Sequence, residues 1–195
     1  MSEADRLKWD AAHARPSAFP AASPFLIASE RLLPRRGRAL DLAGGSGRNA
    51  LLLAEHGLEV TIADISEVAL HHAAAQARAR DLPLTCSVVD FDEGFPPGPW
   101  DALIAFNFLD RTLFTHLPTL LAQGGVFVFV QPTRRNLERH RRPSVRFLLE
   151  EGELRGLLPD ALDVLQLEEG WGSNGRHEAR LVARRRASDG RKAVP

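Results

Sequence analysis

The sequence predicts an α/β fold on a mostly parallel sheet, and three observations carry that prediction. Stretches with strand character alternate with stretches of helical spacing, a glycine-rich turn joins the first strand to a helix, and the last two strand-like stretches are joined by a glycine-containing connection. Residues 1–24 mix small residues with Pro16, Pro20 and Pro24, which blocks regular structure and predicts a flexible arm or lid. Residues 25–33 have helical spacing up to Pro34, and 39–43 form the first strand. The helix over 47–56 stops at Gly57, a residue suited to the left-handed position after a helix. Residues 58–63 alternate as a strand, Ser66 caps an alanine-rich helix to about residue 80, and 84–89 form the third strand. Then 102–106, 110–121 and 126–130 give strand, helix, strand, and 150–158 give a further helix. Residues 162–167 and 178–183 close a seven-stranded sheet, the closing strand antiparallel and the other crossovers right-handed. One domain over 25–186 is expected, with 187–195 a disordered tail.

The segment Asp41-Leu42-Ala43-Gly44-Gly45-Ser46-Gly47-Arg48-Asn49 carries the most chemistry. Glycines admit close backbone approach to a ligand, and the free N–H groups of the helix that follows favour a carboxylate or phosphate. Two fingerprints overlap here. Gly45 to Ala50 satisfies G-x-G-x-x-G/A, with Asp64 about twenty residues on to take ribose hydroxyls, which is the pattern of an NAD(P)-dependent oxidoreductase. Asp41 breaks that match, because a carboxylate inside the strand would repel a pyrophosphate. A ligand with a cationic amino group would welcome it. S-adenosyl-L-methionine has that group, a carboxylate for the helix start and a ribose for Asp64.

These residues resemble those of class I S-adenosylmethionine-dependent methyltransferases, and more narrowly the small tellurite-resistance-type group. Further matches are Asp64-Ile65-Ser66, Val89-Asp90-Phe91, Trp100-Asp101, Phe106-Asn107-Phe108-Leu109-Asp110-Arg111 and Gly124-Gly125. Two positions depart from the pattern. Ala43 stands where a glycine is usual, which suits a negative φ, and Gln123 stands where a proline is usual. The resemblance implies a single-domain Rossmann-like methyltransferase fold. Ligands of such sheets bind outside the carboxyl ends of the strands, which assigns Ala43, Gly44, Gly45, Gly47, Arg48 and Asn49 to the methionyl part, Asp64 to the ribose and Ile65 to the adenine face. The resemblance adds Asp90 at the adenine amino group, the Phe91 N–H at a ring nitrogen, Phe106 and Asn107 near the sulfonium, and an arm around Trp9 and His13 folding over the top.

Composition agrees with an ordinary enzyme domain. A chain of 195 residues, 44% hydrophobic, can bury roughly 70% of its unfolded surface around one core. Lysine plus arginine balances aspartate plus glutamate at 25 each, so no net field draws it to nucleic acid or membrane. The single cysteine, Cys86, excludes an internal disulfide and fits a reducing, cytoplasmic setting. No run reaches the roughly 18 apolar residues of a membrane span. Adjacent His71 and His72 lack the i, i+4 spacing of a metal pair, and no metal site is expected. The sequence carries no signal for oligomeric state.

The expected partner is a small-molecule methyl acceptor. Thiolates and soft oxyanions such as tellurite need little base help, and a phenolic base is excluded because the chain has no tyrosine. His116, His140 and His177 are the candidate bases, with Asp110 next. Asp110, Arg111 and His177 are the catalytic candidates by position, and Arg134 or Arg146 could also meet an anion. Arg135, Arg139, Arg141 and Arg142 read as a solvated face. A methyltransferase acting on bases usually shows Asn/Asp-Pro-Pro-aromatic after the fourth strand, and Asn107-Phe108-Leu109-Asp110 has neither proline. Arg184 to Arg186 are the remaining argument for nucleic acid.

Overall fold

The computed structural model describes residues 3–14 and 18–187. Seven strands form one sheet: β1 (Arg38–Leu42), β2 (Glu59–Asp64), β3 (Leu84–Val88), β4 (Trp100–Phe106), β5 (Leu121–Pro132), β6 (Leu162–Trp171) and β7 (His177–Arg185). Their order is β3-β2-β1-β4-β5-β7-β6. All pairs from β3 to β5 are parallel, whereas β7 runs antiparallel to both β5 and β6. The helices are α1 (Glu3–His13), α2 (Pro24–Ala28), α3 (Arg48–Glu55), α4 (Glu67–Ala79), α5 (Thr112–Leu120) and α6 (Glu153–Leu157).

Side chains alternate across the sheet, as the strand period of two requires. Leu40, Leu42, Leu103, Ala105, Phe127 and Phe129 face α5 and α6, where they meet Leu113, Phe114, Leu117 and Leu154. Ala39, Ile62, Ala102, Ile104 and Val128 face the other way, toward Leu26, Leu53 and Leu70 of α2, α3 and α4. Phe114 stands edge-on to Phe127 and Phe129, with ring centroids 5.9 and 5.2 Å apart. The central strands are therefore covered on both faces, which is the usual condition of a parallel sheet.

Several sequence expectations shift. The arm is not irregular throughout, because residues 3–13 form α1 upstream of the first proline. The helix expected over 25–33 stops at Ala28 and resumes as a 3-10 turn at Glu30–Leu32. β5 starts at Leu121, directly after α5, and so takes in Gln123-Gly124-Gly125. Cys86 lies exposed on the edge strand β3, outside the apolar core. Asp101 accepts the Arg38 N–H at 2.8 Å, the backbone-satisfying role its place at the strand start suggests. The tail expected over 187–195 lies outside the described residues apart from Ala187. Among the described residues no helix is long and apolar enough to cross a membrane.

Candidate functional site

Strand order reverses between β1 and β4, so the crevice at their carboxyl ends is where a sheet of this kind binds ligands. β1 leaves the sheet through Ala43, Gly44, Gly45, Ser46 and Gly47 into α3. Gly45 and Gly47 have φ of 56° and 87°, values glycine adopts without steric cost. Ala43 also has positive φ, 51°, which corrects the negative value expected there and places a modest strain on this residue. Gly47 is further required by packing, since a Cβ on it would stand 2.8 Å from the Cβ of Ala73 on α4.

Asp41 lies on the buried side of this turn. A Cβ on Gly44 would fall 2.8 Å from the Asp41 carboxyl, and Asp41 is only 1% exposed. Its Oδ2 has no hydrogen-bond partner. Burial, followed by the charge of Asp64, pushes its carboxyl up to about 8, while Arg48 and the Ala50 backbone pull the other way. A buried acceptor without a donor is costly unless something supplies one. Asn49, at the start of α3, is buried, and its Oδ1 accepts the Ser23 N–H at 2.9 Å.

Asp64 ends β2 and joins two elements. Its Oδ2 accepts the Gly45 N–H at 2.8 Å and its Oδ1 the Ser66 N–H at 2.9 Å. Burial raises its pKa, opposed by those N–H groups and by His13. Ile65 is buried beside it. Ser66 caps α4, its Oγ accepting the Ala69 N–H at 3.2 Å. The same hydroxyl donates to Asp10 of α1 at 2.7 Å. Three residues beyond Asp10, the His13 ring lies 3.3 Å from where a Cβ on Gly45 would stand. Sequence reasoning missed Asp10 and Ser66 as partners, because no local pattern joins residues 56 apart.

At the end of β3, Asp90 Oδ1 accepts the Asp92 N–H at 3.0 Å, and Phe91 packs against Phe95 and Phe108. At the end of β4, Phe106 is buried and Asn107 takes φ of 57°, a conformation asparagine tolerates. Asn107 Oδ1 accepts from Arg176 at 3.1 Å, so the β6–β7 connection reaches over this strand end.

The three catalytic candidates are each tied to separate partners. Asp110 accepts the Thr112 N–H at 2.8 Å and its hydroxyl at 2.7 Å, capping α5. Arg111 grips Glu153 with two bonds of 2.5 and 3.0 Å, and that pairing raises its pKa. His177 is buried, with Nδ1 2.7 Å from Thr133 Oγ1 and its ring edge-on to Trp171. His116 and His140 are bonded to the carbonyls of Thr112 and Gly175. Two surface cavities, of about 250 Å³ beside Phe25 and Arg180 and about 630 Å³ beside Arg134 and Glu150, have no glycine-turn residue in their linings.

Residues 39–125 match the family model of a methyltransferase domain. The described residues have the Rossmann-like methyltransferase fold. The chain superimposes with TM-score 0.73 and 20% identity on a protein solved in a study of disulfide-to-thioacetal conversion in echinomycin biosynthesis, over 95% of this chain and 93% of that one. TehB from Haemophilus influenzae gives 0.68 at 20% identity over 83% of this chain, which spans 61% of TehB. Magnesium protoporphyrin IX methyltransferase from Synechocystis PCC 6803, solved with bound S-adenosylmethionine, gives 0.61 at 18% identity over 93% and 79%. No curated protein sequence matches the chain. The residues present fit S-adenosylmethionine: a buried acid with one unpartnered oxygen, a glycine turn opening α3 and a second acid ending β2 stand together at the carboxyl ends of adjacent strands.

Proposed function

We propose that the chain is an S-adenosylmethionine-dependent methyltransferase that acts on a small-molecule acceptor. The observation that carries this is Asp41: an acid buried behind the glycine turn, its Oδ2 unpartnered, suits a ligand with a cationic amino group and not a pyrophosphate. The N–H groups opening α3 would meet the ligand carboxylate. Asp64 donates nothing and keeps lone pairs beyond its two backbone bonds, so it can accept ribose hydroxyls while still holding the turn. Asp90 and Phe91 would flank adenine, and Phe106 and Asn107 the reacting centre. When bound, the cofactor supplies a methyl group already activated by a sulfonium. The protein's share is then alignment and exclusion of water.

The acceptor we propose is an already anionic soft nucleophile, a thiolate or an oxyanion of the tellurite type. What supports this is the state of the candidate bases: Asp110, His116, His140 and His177 are each engaged in hydrogen bonds within the protein. Asp110 and His177 would then shape the acceptor side without moving a proton, while Arg111 is committed to Glu153. A cytoplasmic setting suits this chemistry. The dinucleotide alternative is disfavoured by topology, since that fold orders six parallel strands 3-2-1-4-5-6 and this sheet inserts an antiparallel β7 beside β5.

The test is methyl transfer from labelled cofactor to a panel of thiols, oxyanions, amines and RNA. Transfer to thiols or oxyanions is expected. Transfer only to RNA would overturn the small-molecule assignment.

A further inference from the structure

α1 is held to the molecule by polar contacts. None of its residues is buried, and Leu7 and Trp9 remain 56% and 41% exposed. A helix without an apolar anchor sits where its few hydrogen bonds put it. The central one is Asp10, whose Oδ1 accepts from Ser66 Oγ at 2.7 Å and stands 3.5 Å from the Val68 N–H. Its Oδ2 pairs with Arg6 at 3.2 Å, which fixes the carboxylate's orientation. The Lys8 ammonium lies 6.0 Å from the Phe147 ring, in the segment that follows β5. The helix therefore reaches from the first turn of α4 toward the far side of the crevice. His13, near its end, closes on Gly45, and Asp64 is left 7% exposed. His13 therefore stands beside the turn that a ribose must pass to meet that carboxylate.

We infer that Asp10 is a positioning residue that latches α1 over the cofactor cleft, and that the cofactor enters and leaves only when the Asp10–Ser66 hydrogen bond opens. This rests on the cofactor assignment proposed above. The latch gives the protein a closed state that excludes water and an open state that exchanges ligand.

Two measurements on the full chain test it. In hydrogen exchange without ligand, Asp10→Ala is expected to speed the amides of residues 44–47 and 66–68 by about ten- to a hundredfold, the loss of one charged acceptor. In stopped-flow, S-adenosylhomocysteine is expected to dissociate faster by a similar factor. Asp10→Asn, which keeps an acceptor oxygen, is expected to restore most of both, a rescue that a general loss of stability would not produce. Unchanged exchange in Asp10→Ala, or slower dissociation, would overturn the latch. If the unaltered protein binds no S-adenosylhomocysteine, the cofactor assignment fails, and exchange alone still decides the latch.

Discussion

The Asp64 carboxylate holds the Gly45 N–H at 2.8 Å, so the residue that ends β2 also sets the shape of the turn that leaves β1. Ligand recognition and loop geometry share one side chain. Asp64→Ala is expected to weaken S-adenosylhomocysteine binding about ten- to a hundredfold, from the usual worth of a hydrogen bond to a charged acceptor. Calorimetry reads this directly. Undiminished affinity would remove Asp64 from the site.

Asp41 makes stability depend on pH. Its folded pKa, about 8, lies above its ordinary 3.8, so between those values the native state holds a proton that the unfolded chain has lost. Stability without ligand is therefore greatest below pH 3.8 as far as this group is concerned, falls as pH rises to about 8, and levels off above. Asp64, shifted in the same direction, adds to the slope. Asp41→Asn is expected to flatten the profile and to stabilise the ligand-free protein at pH 8.5 by on the order of a few kcal/mol. Urea unfolding at pH 5 and pH 8.5 measures it, and an undiminished slope in the variant would contradict the burial argument.

The glycine turn offers a paired test of backbone strain. Ala43→Gly relieves a non-glycine φ of 51° and is expected to stabilise by about 1 kcal/mol. Gly47→Ala meets both a φ of 87° and the Ala73 side chain, and should cost about 1–3 kcal/mol. Denaturation midpoints of the two variants should move in opposite directions.

Arg111 is expected to act on stability and not on turnover. Its partner Glu153 is largely covered while Arg111 itself is 45% exposed, so Arg111→Ala should cost about 1 kcal/mol or less. The acceptor KM should stay where it is. A tenfold rise would return Arg111 to the acceptor site.

Much of the fold is legible in the sequence because each strand of the sheet announces itself locally. Apolar runs such as Val126 to Val130 and the cap at Ser66 are short-range signals, and the glycine turn is one as well. What escapes is long-range or conformational. Nothing near Ala43 reveals its positive φ, which the closing of the turn imposes. The commitment of Arg111 to Glu153 joins residues 42 apart, and the docking of Asp10 on Ser66 joins residues 56 apart. Pro16, Pro20 and Pro24 dominate the composition of residues 1–24 and mask the helix-competent stretch before them, which becomes α1. Strand ends shift by a residue or two, except that β5 extends back through Gly124-Gly125 and β6 runs four residues past 167 to Trp171.

The most direct measurement is parallel calorimetric titration of the purified chain with S-adenosylhomocysteine and with NADH. Saturable one-to-one binding of the first, weakened about ten- to a hundredfold in Asp64→Ala, and no binding of the second is the expected result. Binding of NADH alone would contradict the account at its root.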